Sequence, residues 1–190
     1  MRRHGGPQQG QHADRRLHGV HRPRGGGPSL AGNVRLKLLV LAVGKLRPYY
    51  REACDDYLER LRHYGPVAER EVRAASAGTA ALRLAEEGRR LAAALPEGAA
   101  VVALDRAGTQ WSSEELARRL DAWRREARPL VLLLGGPFGL EPGLLAAARH
   151  RWSLGKLTLP HELARVVVLE QWYRAWTILR GEPYHKGGAP

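Results

Sequence analysis

Three late segments of the chain carry residue types that can bind or activate a ligand. Leu134-Gly135-Gly136-Pro137-Phe138-Gly139 follows an apolar run, and its glycines would let backbone N–H groups approach a bound molecule closely. Taken alone it reads as a tight strand-to-helix turn. It is not the GxGxxG pattern, and it lies late, whereas a dinucleotide loop normally follows the first strand. His161-Glu162-Leu163-Ala164-Arg165 opens like a zinc-protease helix but lacks the second histidine four residues on, which argues against a metal. His161 and Arg165 remain, one turn apart on one face. They read equally as a capping histidine with a surface arginine or as ligand-binding groups. Pro183-Tyr184-His185-Lys186 places a ring, a titratable group and a cation directly after a helix, a set that can stack on and polarise a nucleobase. Trp172 and Trp176 form an i, i+4 pair that predicts a core or dimer face, with base stacking second.

These segments need elements to hold them. Arg35–Ala42 predicts a central strand, and Pro48 opens a helix whose stripe is Tyr50, Ala53, Tyr57, Leu58 and Leu61, closed by Gly65-Pro66. Val67–Arg73 is a weak strand. Thr79–Leu95 reads as a helix with Leu84, Leu91 and Leu95 inward and Glu86 and Glu87 mostly outward. Ala99–Leu104 predicts a buried strand, and Ser112-Ser113-Glu114-Glu115 a capping box that starts a helix presenting Leu116, Leu120 and Trp123. Leu130–Leu134 is fully apolar. A short helix over Glu141–His150, a short strand over Lys156–Leu159 and a helix over His161–Arg180 complete the order. Strands separated by helices predict an α/β fold with a mostly parallel sheet covered on both faces. In such sheets ligands bind beyond the carboxyl ends of the strands.

The chain has 190 residues, enough for one domain. Residues 1–33 hold eight glycines, four histidines without ligand spacing and almost no aliphatics, which predicts a disordered basic extension or a mis-assigned start. The domain is expected over 34–190. Of the net charge of +12, the first 33 residues account for +5, leaving +7 on the remainder. A basic surface favours polyanions by releasing counterions. No apolar run approaches the ~20 residues needed to span a bilayer, and one cysteine excludes an internal disulfide. A cytoplasmic protein without membrane or metal is expected.

In their order and spacing, Ala42-Val43-Gly44-Lys45-Leu46, Leu104-Asp105, Leu134–Leu140, Trp152-Ser153-Leu154, Leu157-Thr158-Leu159-Pro160-His161, Arg165-Val166, Glu170-Gln171, Tyr173-Arg174-Ala175 and Tyr184-His185-Lys186 resemble the ribosomal RNA large-subunit methyltransferase H family of the SPOUT superfamily. The resemblance runs from about Leu36 to Lys186. It implies a single domain with a C-terminal trefoil knot, a topology that general rules would not supply. It also implies a homodimer that methylates N3 of a pseudouridine in 23S rRNA of the assembled ribosome. By the same resemblance S-adenosylmethionine lies against Leu104, Gly135, Leu154, Gly155, Lys156, Leu157, Thr158 and Leu159, largely through backbone atoms. His161, Arg165, Arg174 and Lys186 are expected at the RNA. Tyr184 is expected to stack on the base, and His185 to polarise or deprotonate N3. Two rivals remain at this stage: a ribosome-binding factor without turnover, and a related enzyme acting on tRNA.

Overall fold

Two leucine-rich runs with no polar residue, Leu38–Val43 (β1) and Leu130–Leu134 (β4), sit side by side at the centre of a five-stranded sheet. Strands covered on both faces lose the polar alternation of a half-exposed strand, which explains those runs. The structure is a computed structural model and describes residues 36–186. The character expected of residues 1–33 lies outside the described residues.

The strand order is β2-β1-β4-β3-β5, and every pairing is parallel. The other strands are Val67–Val72 (β2), Ala100–Gln110 (β3) and His150–Ser153 (β5). The helices are Pro48–Arg62 (α1), Ala80–Ala94 (α2), Ser113–Arg125 (α3), Pro142–Ala147 (α4) and His161–Arg180 (α5), and a 3-10 turn spans Pro183–Lys186. Successive strand residues point to opposite faces, so the sheet divides its apolar residues between two cores. Leu38, Val40, Ala42, Leu130 and Leu132 pack under α1, α3 and α5, where Leu58, Leu120, Trp123, Leu169 and Trp172 are buried. Leu41, Val43, Val131 and Leu133 face Leu91 of α2 and Leu140 on the other side.

Local chemistry starts the helices where expected. Pro48 stands in the first turn of α1. Ser112 Oγ accepts from Glu115 N while Glu115 Oε2 accepts from Ser112 N at 2.7 Å, a complete capping box. Trp172 is fully buried, stacked on Trp123 at 5.8 Å, and Trp176 stacks on Tyr64 at 5.2 Å. The pair is therefore core, and base stacking by it is ruled out.

Three expectations are corrected. β3 runs on to Gln110 rather than ending at Leu104, through a register shift between Leu104 and Thr109. The strand expected over Lys156–Leu159 is His150–Ser153 instead, and 156–159 is loop. Glu87 is buried, 2% exposed, because its Oε1 accepts a hydrogen bond from Ala75 N at 3.0 Å in the loop entering α2. Among the described residues no helix is long and apolar enough to cross a membrane.

Candidate active site

A cleft opens between the middle of β3 and the segments that follow β4 and β5. Leu104, Asp105 and Arg106 form one wall, Gly136 another, and the Ser153–Leu159 loop a third, with His161 and Ala164 of α5 closing it. Of the residues expected at a cofactor, the structure brings together Leu104, Leu154, Gly155, Leu157, Thr158 and Leu159. Lys156 lies between them in the same loop. Gly135 stands beside the cleft and not on its lining. A Cβ at Gly135 would come within 2.1 Å of Gly139 O, so this position needs glycine for the loop to fold back on itself.

The 154–159 loop is shaped by its beginning and held at its end. Ser153, 2% exposed, donates its hydroxyl to Gly155 O at 3.0 Å and accepts from Gly155 N at 3.2 Å. Beyond that, among the described residues, Lys156–Leu159 make no backbone hydrogen bond to one another or to other parts of the chain. Lys156–Thr158 are exposed, so these backbone groups are open to water or to a ligand that displaces it. Leu157 is 81% exposed, an unusual place for a leucine.

The start of α5 is clamped to the segment after β1. Glu162 Oε1 accepts from Arg47 N at 2.7 Å and Oε2 from Arg47 Nε at 2.8 Å. The Arg47 guanidinium holds the Glu162 carboxyl below its usual range. Arg165 is 1% exposed. Its Nη1 reaches Glu71 Oε1 at 2.6 Å and Glu69 Oε1 at 3.0 Å, while Nη2 donates to Gly44 O at 2.9 Å and Val43 O at 3.3 Å. This corrects the expectation of a phosphate-holding Arg165: both Nη groups are committed inside the protein, and Nε is buried without a partner among the described residues. Of the His-Glu-Leu-Ala-Arg run, His161 is the titratable residue that lines the cleft.

The C-terminal turn lies elsewhere. Tyr184 packs edge-on against Tyr173 at 4.7 Å, with the Arg174 guanidinium 5.0 Å from its ring centre. Its hydroxyl donates to Glu170 Oε1 at 3.2 Å, and burial with the Tyr57 hydroxyl raises its pKa. Arg174 Nη2 donates to the same Glu170 oxygen at 2.6 Å, and that bond raises the arginine's pKa. The backbones of His185 and Lys186 complete the turn; their side chains lie outside the described residues. Twenty residues of α5 separate His161 from Gly181, about 30 Å at ~1.5 Å per residue. Within one protomer Tyr184 therefore stands at the far end of α5 from the cleft.

Sequence reasoning missed Arg47, Glu162 and Glu87. A buried Glu87 Oε2 has no partner among the described residues. A Cβ at Gly136 would lie 3.2 Å from that oxygen, so the carboxylate backs the cleft wall directly. Spacing offers no signal for contacts this distant in the chain.

With this geometry in place, relatives separate one α/β fold from another. Residues 36–185 match the family described as "Predicted SPOUT methyltransferase". The ribosomal RNA large subunit methyltransferase H of Rubrobacter xylanophilus is 51% identical over 154 residues, covering 77% of this chain and 96% of that protein. The chain belongs to the ribosomal RNA large subunit methyltransferase H family. The family's members from Chromohalobacter salexigens and Verminephrobacter eiseniae are 43% and 46% identical over 80% of this chain, covering 100% and 99% of their own lengths. The resemblance read from the motifs is thus borne out, and the molecule is a SPOUT methyltransferase. The matched residues, 36–185, take in the cleft, the clamp and all of the C-terminal turn but Lys186.

Proposed function

We propose that this methyltransferase transfers a methyl group from S-adenosylmethionine to N3 of a pseudouridine in 23S rRNA of the assembled ribosome, in the cytoplasm and as a homodimer. The observation that carries this reading is the cleft whose wall offers leucine side chains and an unspent run of backbone N–H and C=O groups. The cofactor combines a flat heteroaromatic base, an apolar thioether region and polar ends. Leu104, Leu154, Leu157 and Leu159 suit the apolar parts, and the free backbone groups of 156–159 suit the base edge and the polar ends. Gly135 serves by shaping the loop that presents Gly136. The family reading also gives a C-terminal trefoil knot, in which the cofactor loops pass through or beside one another.

When bound, the cofactor supplies an electrophilic methyl on a sulfonium sulfur. The chain's residues must deliver an electron-rich nitrogen in line with it, where positioning supplies ~7–11 kcal/mol of the barrier. Pseudouridine N3 carries an imide proton, so His185 polarises or removes it, while Tyr184 stacks on the base. His161, at the cleft, orients the base or its phosphate, and Arg174 and Lys186 add cationic contacts. Arg165 contributes only through the clamp. Because α5 is ~30 Å long, the partner protomer's turn, with Tyr184 and His185, completes each site in this reading.

Calorimetry with S-adenosylmethionine, followed by methyl transfer to ribosomes lacking the modification, tests this. One cofactor per protomer and one methyl on a pseudouridine are expected. No binding by the dimer, with or without ribosomes, would favour a factor without turnover, and transfer to tRNA in place of rRNA would favour the related enzyme.

A further inference from the structure

A second cleft lies across β3 from the first. Leu104–Arg106 line the cofactor cleft, and the next residues, Ala107–Thr109, line this one. It measures about 500 Å³ and its other walls include Trp111, Arg119, Arg149, His150 and Arg151. No acidic residue is on the lining. Two carboxylates stand behind it: Glu126 pairs with Arg149 and, at 3.6 Å, with Arg128, and Asp105 Oδ2 accepts from Arg151 Nε at 2.8 Å. The surplus is positive, because Arg119 on the lining has no ionic partner among the described residues. Glu115, one turn before Arg119, is held in the capping box.

The cationic groups surround an aromatic platform. Trp111 stacks on buried Trp152 at 5.5 Å and carries the Arg119 guanidinium 4.4 Å from its ring centre. His150 packs edge-on to the same indole at 5.9 Å, and burial, with Arg119 and Arg149 nearby, lowers its pKa. Trp111 Nε1 is buried with no hydrogen-bond partner among the described residues. A guanidinium has five donors. Arg149 and Arg151 spend some on carboxylates and retain others, and Arg119 retains all of its own. Stacked arginine on tryptophan, flanked by further guanidinium donors, is the arrangement that holds a phosphodiester beside a splayed base.

We propose that this cleft docks single-stranded rRNA next to the target nucleotide, with Arg119 and its arginine neighbours on a phosphate and the Trp111–Arg119 stack against an adjacent base. The inference rests on the RNA-methylating function proposed above. An RNA strand leaving the cofactor cleft crosses only the Asp105–Thr109 segment to reach it.

The test uses the full-length protein, a fluorescently labelled short single-stranded RNA and whole ribosomes. Arg119→Glu is expected to weaken oligonucleotide binding about tenfold and raise the KM for ribosomes similarly, with cofactor affinity unchanged. Arg119→Ala is expected to lower the slope of log affinity against log salt by about 0.7, one phosphate contact on a single strand. Arg118→Glu, the same charge change at an exposed neighbour outside the cleft lining, is expected to have a much smaller effect. Equal losses for Arg118→Glu and Arg119→Glu would mean diffuse attraction and overturn the proposal. Unchanged binding and KM in Arg119→Glu, with the wild type methylating ribosomes normally, would overturn it and leave the proposed reaction standing. Arg119-dependent binding to ribosomes but not to RNA would assign the cleft to an acidic ribosomal protein, which also overturns it. Arg119-dependent binding of the oligonucleotide without methyl transfer would support the cleft while removing the reaction.

Discussion

Arg165 shows how a residue type can be read correctly and its role wrongly. An arginine one turn after a histidine at a helix start suits a phosphate, yet this guanidinium is 1% exposed and joins Glu69, Glu71 and two carbonyls. Glu69 and Glu71 alternate along β2 and so share one face, but nothing local in sequence links them to position 165. Without this guanidinium Glu69 and Glu71 keep only Arg51 as a cationic partner among the described residues, so Arg165→Ala is expected to destabilise by about 3 kcal/mol in denaturant unfolding, the low end for a broken buried pair. RNA affinity of the folded fraction should change little; a stable variant with weakened RNA binding would restore the phosphate role. The neighbouring clamp gives a pH dependence. Glu162 has its folded-state pKa depressed by Arg47. Its contribution is therefore complete above the ordinary carboxylate range and is lost as pH falls through the lower folded value. Arg47→Ala should flatten the acid side of a stability–pH curve measured by urea unfolding. An identical acid limb in the variant would show that the clamp does not couple to folding.

At the scale of elements, the loop after β4 is set by its own backbone. Gly135→Ala would drive a Cβ into Gly139 O, whereas Gly139, at φ +83°, has open space around its Cβ position. Gly139→Ala is therefore expected to cost about 1–2 kcal/mol of left-handed strain. Gly135→Ala should cost more and remove cofactor binding in calorimetry; equal stability and affinity in both variants would contradict this account of the loop. Much of the element order was legible. Leu130–Leu134 and Leu38–Val43 announce doubly covered strands, and the Ser112–Glu115 box announces α3. The position of β5 was not. His-Arg-Trp-Ser is a four-residue edge strand without an apolar run, while Leu157-Thr158-Leu159 mimics strand alternation in a loop whose backbone groups remain free. The burial of Glu87 was equally hidden, because it depends on Ala75 N, twelve residues back. Order and spacing of motifs carried the family where single motifs could not.

For the whole molecule, the decisive dimension is the length of α5, which has the cleft beside His161 at one end and the Tyr184 turn at the other. If each site combines one protomer's cleft with its partner's turn, two inactive variants should complement. Mixing Gly135→Ala, defective at the cleft, with His185→Ala, defective at the turn, should produce hybrid dimers with one intact site and measurable methyl transfer. Absence of any recovery in verified hybrids would place both parts of the site in the same protomer. The central claim is broader and has a more direct test: mass spectrometry of 23S rRNA from cells with and without this chain. The account predicts that deletion removes one methyl group from one pseudouridine and that re-expression restores it. A 23S rRNA whose pseudouridine methylation is identical in both strains would contradict it.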